Sequence, residues 1–228
     1  EDLWRIDAEY QSLSNFEKIH SPCKNSDERR RIFKKLYIIQ FRKMRIISGA
    51  FKGRRIIAPA NLPVRPTTDF AKEALFNVLN HHYFFDEISV LDLFAGIGSV
   101  GLEFASRGSK RIVAVDSEIG CVKFISSVVD KLEIGNQMTV VRDDVFKFLS
   151  KNNQGSFDII FADPFYEMEM NEFLEMIQLI RGNNWLKEGG ELILEHSKNI
   201  VFDESNAGWK QSRRYGNVNF SFFKFDNI

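Results

Sequence analysis

An α/β fold with a mostly parallel sheet is the architecture this sequence predicts, and three observations predict it. From Ser89 onward, short apolar runs of strand length alternate with longer segments of helical period. That alternation calls for a parallel sheet with helices on both faces. The first run, Val90-Leu91-Asp92-Leu93-Phe94, passes into Ala95-Gly96-Ile97-Gly98-Ser99-Val100-Gly101, a glycine-punctuated strand-to-helix turn. Such turns form nucleotide pockets at the carboxyl end of a parallel strand. The tail breaks the alternation. Trp209 to Tyr215 and Asn217 to Phe225 read as two strands around Tyr215-Gly216-Asn217, so a seven-stranded sheet ends in an antiparallel hairpin.

In chain order, residues 1–43 form an N-terminal extension with little pattern. Ser21-Pro22 and Asn25-Ser26-Asp27 carry turn chemistry. Asp27 to Lys43 suits a basic helix, with Ile32, Phe33, Leu36 and Ile39 at roughly helical spacing. Met44 reads as a natural start, and the extension is given no catalytic role. Residues 44–68 form a small basic hairpin and linker. Arg45-Ile46-Ile47-Ser48 and Arg54-Arg55-Ile56-Ile57 are β-prone runs around Gly49-Ala50-Phe51-Lys52-Gly53. Prolines hold Pro63-Val64-Arg65-Pro66-Thr67-Thr68-Asp69 extended. The main domain spans 69–228. Thr68 or Asp69 caps a helix to about Asn80, with Phe70, Ala74, Leu75 and Val78 as its apolar face. The first strand is 90–94, followed by a helix from Val100 to Arg107 with Leu102, Phe104 and Ala105 as apolar positions. Further strands are expected at 111–116, 138–142, 157–162 and 191–195, with helices at 117–132 and 168–180.

Composition bounds the function. Hydrophobic content of 44% and charged content of 27% are those of a soluble globular protein. Cys23 and Cys121 lie far apart, without zinc-like spacing, which argues for a reducing compartment. With no apolar run of transmembrane length and no apolar signal segment, the chain reads as cytoplasmic, without a membrane partner. The net charge of zero hides a segregation. Residues 29–68 hold twelve Lys or Arg and no acid, whereas 69–228 hold sixteen basic and twenty-four acidic residues. A basic block beside an acidic domain points to a polyanion partner on one side. The candidate phosphate contacts are Arg45, Lys52, Arg54 and Arg55 of the hairpin, then Arg65 and Thr67 of the linker. Phe51 suits core packing or stacking on a base.

Asp92, Asp116, Asp144 and Asp163 stand at or just past the carboxyl ends of four predicted strands, which right-handed crossovers bring to one edge. Gly96, Gly98 and Gly101 fit G-x-G-x-x-G, a spacing shared by NAD and S-adenosylmethionine sites. Asp92 separates these. A pyrophosphate gains nothing from a carboxylate there, whereas a cofactor bearing an ammonium and a sulfonium welcomes it. Asp116, twenty residues after Gly96, suits the two ribose hydroxyls of an adenine nucleoside, or caps the next helix. Asp144 suits the adenine amino group, with the Val145 backbone beside it, or again caps a helix; Asp143 is its neighbour and rival.

Asp163-Pro164-Phe165-Tyr166 is the sharpest signal. An exocyclic amino nitrogen is a poor nucleophile because its lone pair is delocalised into the base. A carboxylate and a proline carbonyl accepting its two hydrogens would localise that lone pair. Aromatic faces would hold the flat base. Methyl transfer from a sulfonium then needs mainly in-line positioning.

Asp163-Pro164-Phe165-Tyr166 resembles the D/N-P-P-Y/F motif of amino-group methyltransferases, and Phe94-Ala95-Gly96-Ile97-Gly98 resembles their first motif. More narrowly, Met44-Arg45-Ile46-Ile47-Ser48-Gly49, Arg65-Pro66-Thr67-Thr68-Asp69 and Glu73-Ala74-Leu75-Phe76-Asn77 resemble the RsmD family, bacterial small-subunit ribosomal RNA guanine-N2 methyltransferases. The resemblance covers about 44–225. It implies a class I, Rossmann-like S-adenosylmethionine-dependent methyltransferase fold, with S-adenosylhomocysteine as product and no metal. It implies methylation of one guanine in the small ribosomal subunit or its RNA, by a chain expected to act as a monomer. Matched by position, Asp163, Pro164 and Tyr166 would hold the base, and Gly96, Gly98, Asp116 and Asp144 the cofactor. Asp92, Phe94 and Val145 complete the expected cofactor set. Phe165 stands where the motif has its second proline, which alters the pocket wall. Phe70 and Lys72 stand where the family often has arginines.

Three other readings share these features. An amino methyltransferase acting on DNA adenine or a protein glutamine would keep the motif, but the Arg-Pro-Thr-Thr segment and the lack of a target-recognition domain disfavour it. An NAD oxidoreductase is opposed by Asp92, the final hairpin and Asp163-Pro164-Phe165-Tyr166. A non-catalytic RNA-binding assembly factor is opposed by retention of all four edge acids.

Overall fold

The structure, a computed structural model, describes residues 42–59, 61–62, 67–151 and 155–225. All of these fall within one compact unit, Phe41–Ile228. Most of the helix expected over Asp27 to Lys43, and the linker residues Arg65 and Pro66, lie outside the described residues; the last two positions of that helix, Arg42 and Lys43, are instead strand, paired with Ala58 and Ile57.

The central sheet has seven strands. In chain order they are β3 (Ser89–Leu93), β4 (Arg111–Asp116), β5 (Met138–Arg142), β6 (Phe157–Ala162), β7 (Leu186–Ser197), β8 (Trp209–Tyr215) and β9 (Val218–Phe223). Their spatial order is β5-β4-β3-β6-β7-β9-β8. The first five are parallel; β9 runs antiparallel to β7, and β8 antiparallel to β9. The chain therefore steps outward from β3 to β5, then returns to β6 on the other side of β3. Loops leaving β3 and β6 diverge there and open a crevice at the carboxyl edge, where ligands bind in open α/β sheets.

Side chains alternate between the two faces of each strand. Val90 belongs to one core, with Phe161, Ile193, Phe220 and Phe222. That core is covered by α1 (Asp69–Leu79), α2 (Ser99–Ser106) and α3 (Ile119–Lys131). Leu91 and Leu93 belong to the other, with Ile160, Leu192, Leu194 and Phe223, covered by α4 (Val145–Leu149) and α5 (Met170–Gly182). Burying a large apolar side chain of this kind contributes roughly 1.5–3 kcal/mol.

Several expected bounds move. Strand β7 starts at Leu186 rather than 191, because Gly189 and Gly190 run inside it and a bulge opposite Phe157 and Ile159 absorbs the extra residues. Helix α5 starts at Met170, behind a capping box of Glu169 and Glu172. Helix α3 starts at Ile119, because Glu118 caps it: its Oε1 accepts the Gly120 N–H. The cap therefore does not come from Asp116.

Helix α1 is capped by Thr68, whose hydroxyl accepts the Ala71 N–H. Its buried face is Ala71, Lys72, Leu75, Phe76 and Leu79, one residue on from the expected stripe. Phe70 is consequently 66% exposed. The hairpin ahead of it pairs β1 (Arg42–Arg45) with β2 (Arg55–Ala58), so the first arm lies earlier than the expected 45–48. Its turn rests on the end of α2, where Ala50 donates to the Ser106 carbonyl and Phe51 N–H to Ser106 Oγ. Glu103, fully buried, accepts the backbone N–H groups of Ile47 and Ser48 and the Arg107 Nε–H. Lys72 Nζ lies 3.7 Å from Glu103 and donates to the Arg45 carbonyl and Ser99 Oγ. Burial pushes the Lys72 ammonium below its ordinary range, against the pull of Glu103. Lys52, Arg54 and Arg55 remain exposed.

Candidate active site

The glycine loop leaves β3 through three unusual backbone conformations. Phe94 and Gly96 take φ +57° and Gly98 φ +76°, all in the left-handed region. A non-glycine residue held there stores strain that clusters at ligand sites. Gly98 is then the first cap of α2, with no side chain to satisfy the helix's leading N–H groups. One of these, the Gly101 N–H, donates to Asp92 Oδ2 at 2.9 Å. A Cβ on Gly101 would sit 2.8 Å from that oxygen, so only glycine permits the contact.

Asp92 is 2% exposed, lodged beneath the loop. Burial pushes its carboxyl up to about 7, helped by the negative charges of Asp163 and Asp116 and opposed by the Gly101 hydrogen bond. Asp116, at the end of β4, accepts the Gly96 N–H on Oδ2 at 2.7 Å and the Glu118 N–H on Oδ1 at 2.8 Å. It thus ties the loop to the start of α3, and burial raises its carboxyl. Each carboxylate oxygen has a further lone pair to offer a ligand. Asp144 caps α4, with Oδ1 accepting the Lys147 N–H, and Val145 behind it is buried. Of the two uses open to Asp144 from sequence, the cap is present. Asp143 is taken up by an ion pair with Lys151.

Asp163 follows β6 directly, and its N–H donates to the carbonyl of Leu93, the residue before Phe94. Glycine loop and Asp163-Pro164-Phe165-Tyr166 are thereby neighbours at the switch point. Phe165 meets Phe94 edge-on, with centroids 6.5 Å apart. Phe165 and Tyr166 are exposed at 55% and 69%, whereas Pro164 is buried. Burial raises the Asp163 carboxyl to about 7, opposed by a hydrogen bond from Thr67.

That bond departs from the sequence expectation. Thr67 is buried rather than displayed at the surface. Its Oγ1 lies 3.3 Å from both Asp163 Oδ2 and Glu195 Oε2. Glu195, buried in β7, is a site residue that sequence reasoning missed. An acid in the apolar run Leu192-Ile193-Leu194 was the available signal. Arg45 is exposed and pairs with Asp69, and Arg54 lies over the half-buried Phe51 ring. Lys72, buried, has no part in a surface contact. No helix among the described residues is long and apolar enough to cross a membrane.

A family model described as Conserved hypothetical protein 95 matches residues 44–224. Ribosomal RNA small subunit methyltransferase D of Haemophilus influenzae is 32% identical over 158 residues, covering 68% of this chain and 80% of that protein. The protein of the same name from Buchnera aphidicola subsp. Baizongia pistaciae is 28% identical over 183 residues, covering 79% and 91%. A solved 16S rRNA N2 methyltransferase of T. thermophilus, in complex with AdoMet and guanosine, has the same fold. It matches with a TM-score of 0.62 at 18% identity, over 81% of this chain and 50% of that one.

Proposed function

The chain belongs to the Conserved hypothetical protein 95 family, and we propose that it transfers the methyl group of S-adenosylmethionine to the exocyclic N2 of one guanine in small-subunit ribosomal RNA. The observation that carries this reading is the junction of loop and motif. Phe165 packs against Phe94, so a base held by Asp163-Pro164-Phe165-Tyr166 lies beside whatever the glycine loop holds.

The donor set fits a cationic cofactor. Asp92, Asp116 and Asp163 are partly or wholly buried acids, and the charges of Asp163 and Asp116 repel that of Asp92 and raise its proton affinity. A positive ligand relieves that repulsion, whereas a pyrophosphate adds to it. Bound S-adenosylmethionine supplies an electrophilic methyl group. The residues that would hold it are Phe94, Gly96 and Gly98 of the loop, Asp116 toward the ribose, and Asp144 with the Val145 backbone toward the adenine. Asp92 acts beneath the loop, through Gly101 and through its charge.

Asp163 and the Pro164 carbonyl accept the two amino hydrogens and return the lone pair to nitrogen. Tyr166 and Phe165 hold the base by stacking. As the nitrogen gains a carbon it gives up one hydrogen as a proton, which a carboxyl titrating at about 7 is suited to hold. The choice of guanine is supported by the motif resemblance, and small-subunit RNA also by the names of the relatives. Arg45, Lys52, Arg54 and Arg55 would contact phosphates, with Arg65 part of the same proposal. The enzyme would act as a monomer, in the cytoplasm.

The test is transfer of labelled methyl from S-adenosylmethionine to unmethylated small subunits, with naked ribosomal RNA and double-stranded DNA alongside. Label is expected on N2 of one guanine, with Asp163→Ala slower by about 10²–10³-fold on the scale of lost transition-state contacts. Asp163→Ala should still bind S-adenosylmethionine. Label in DNA alone, or full turnover by Asp163→Ala, would overturn the substrate or the role.

A further inference from the structure

Phe70 has no packing reason to be where it is. It lies off the buried face of α1, in the first turn, and is 66% exposed. A single exposed apolar residue is ordinary, but this one is propped. Its ring meets Tyr215 edge-on at 6.5 Å, and Tyr215 in turn leans on fully buried Phe220 at 5.7 Å. The three rings make a stair from the core to the surface, with Phe70 as its outer step.

The stair stands at the catalytic edge. Tyr215 ends β8 and pairs with Val218, which pairs with Ser197 at the carboxyl end of β7. Ala162, just before Asp163, pairs with Leu194 of the same strand. Phe70 follows Thr67, the residue that reaches Asp163, by three positions, a chain span of no more than about 11 Å. Cations stand close by along the chain. Arg45 is paired with Asp69, the residue before Phe70, and exposed Arg213 stands two residues before Tyr215 on the same face of β8. An aromatic face with cations near it suits an unstacked nucleobase and its phosphates.

We propose that Phe70, supported by Tyr215, is a second base-stacking platform that holds a nucleotide flanking the methylated guanine. This rests on the RNA methyltransferase reading. It adds a contact distinct from Asp163-Pro164-Phe165-Tyr166, which takes the target base itself. Drawing the target guanine out of its stack frees its neighbours, and a face that captures one of them keeps the strand open and in register.

Two experiments decide it. The first compares KM for unmethylated small subunits between the wild type, Phe70→Ala and Phe70→Trp, with S-adenosylmethionine binding as the folding control. Loss of one base–aromatic stack should raise KM by about 5- to 150-fold in Phe70→Ala, while Phe70→Trp keeps it near wild type. The second places a photoreactive benzophenone side chain at position 70 and maps its crosslink on the subunit. It is expected on one RNA nucleotide close to the labelled guanine. A KM for Phe70→Ala within about twofold of wild type would overturn the platform, since the stacking range starts well above that. So would a crosslink only to ribosomal protein, or none. If the wild type methylates no RNA, the parent reading fails and the platform falls with it. If it does and Phe70→Ala is unaffected, only the platform fails.

Discussion

Helix α2 meets two buried carboxylates, and the protein treats them in opposite ways. Glu103, on the helix, faces Lys72, Arg107 and two backbone N–H groups of the hairpin. Asp92, bonded to Gly101 two residues earlier on the same helix, has Asp163 and Asp116 as its charged neighbours. Among the described residues no cation pairs with Asp92, Asp116 or Asp163. The first cluster is complete within the chain. The second has no cation of its own among the described residues, and that difference makes it the candidate site rather than a joint. Buried acids alone would not have told the two apart; their partners do.

The largest effect expected from this contrast is structural. Glu103→Ala leaves the Lys72 ammonium and two hairpin N–H groups buried without their acceptor. Breaking a buried pair in this way costs about 3–5 kcal/mol. In a chain of this size each kcal/mol moves the melting temperature by roughly 2–4 °C. Calorimetry on Glu103→Ala should therefore show a fall of about 6–20 °C. A fall of less than about 2 °C would mean that the hairpin is held by its apolar residues alone, and that the completeness of this cluster is irrelevant.

The second effect is on rate. Thr67→Val removes the hydroxyl that reaches Asp163 and Glu195 while keeping the shape. A hydrogen bond to a charged group contributes about 1.5–3 kcal/mol. The expected result is a kcat lower by roughly 10- to 150-fold, with unchanged S-adenosylmethionine affinity and recovery in Thr67→Ser. A drop in affinity with kcat intact would place Thr67 on the cofactor side. A weakened dependence of substrate binding on salt would return it to the RNA contacts.

The same contrast explains what could be read from the chain. Strands β4, β5 and β6 have the bounds expected from sequence, because each is a short, mostly apolar run bounded by charged or polar residues. The glycine loop and the motif after β6 were legible because both are local: their chemistry sits within a few consecutive residues. Helix α1 was misread by one position for a physical reason. Buried Lys72 makes the true face look polar, and exposed Phe70 makes a false one look apolar. Thr67 and Glu195 meet across 128 positions, a contact that only the assembled fold creates. The cap on α3 was assigned to Asp116 as one alternative. With Glu118 two residues on, either acid fits a cap, and nothing in the sequence says that Asp116 is held back by Gly96.

The smallest expected effect tests the open cluster directly. In the free protein burial raises the carboxyls of Asp92 and Asp163 to about 7, from an ordinary 3.8. Folding therefore favours their protonated forms. That contribution is full below about pH 3.8 and is lost as pH rises through about 7. The melting temperature of the unliganded protein should fall as pH climbs across that window. A cationic ligand selects the ionised form, so its affinity should climb over the same range. With one group titrating at about 7, S-adenosylmethionine should bind about tenfold more weakly at pH ~6 than at pH ~8. S-adenosylhomocysteine lacks the sulfonium charge and should show a shallower slope. Titration calorimetry with both ligands at each pH separates charge from shape. Equal slopes would mean that the dependence belongs to the parts the ligands share, and that the sulfonium is not what the acids attend to. A flat affinity for both would leave Asp92 as a buttress of the loop and nothing more.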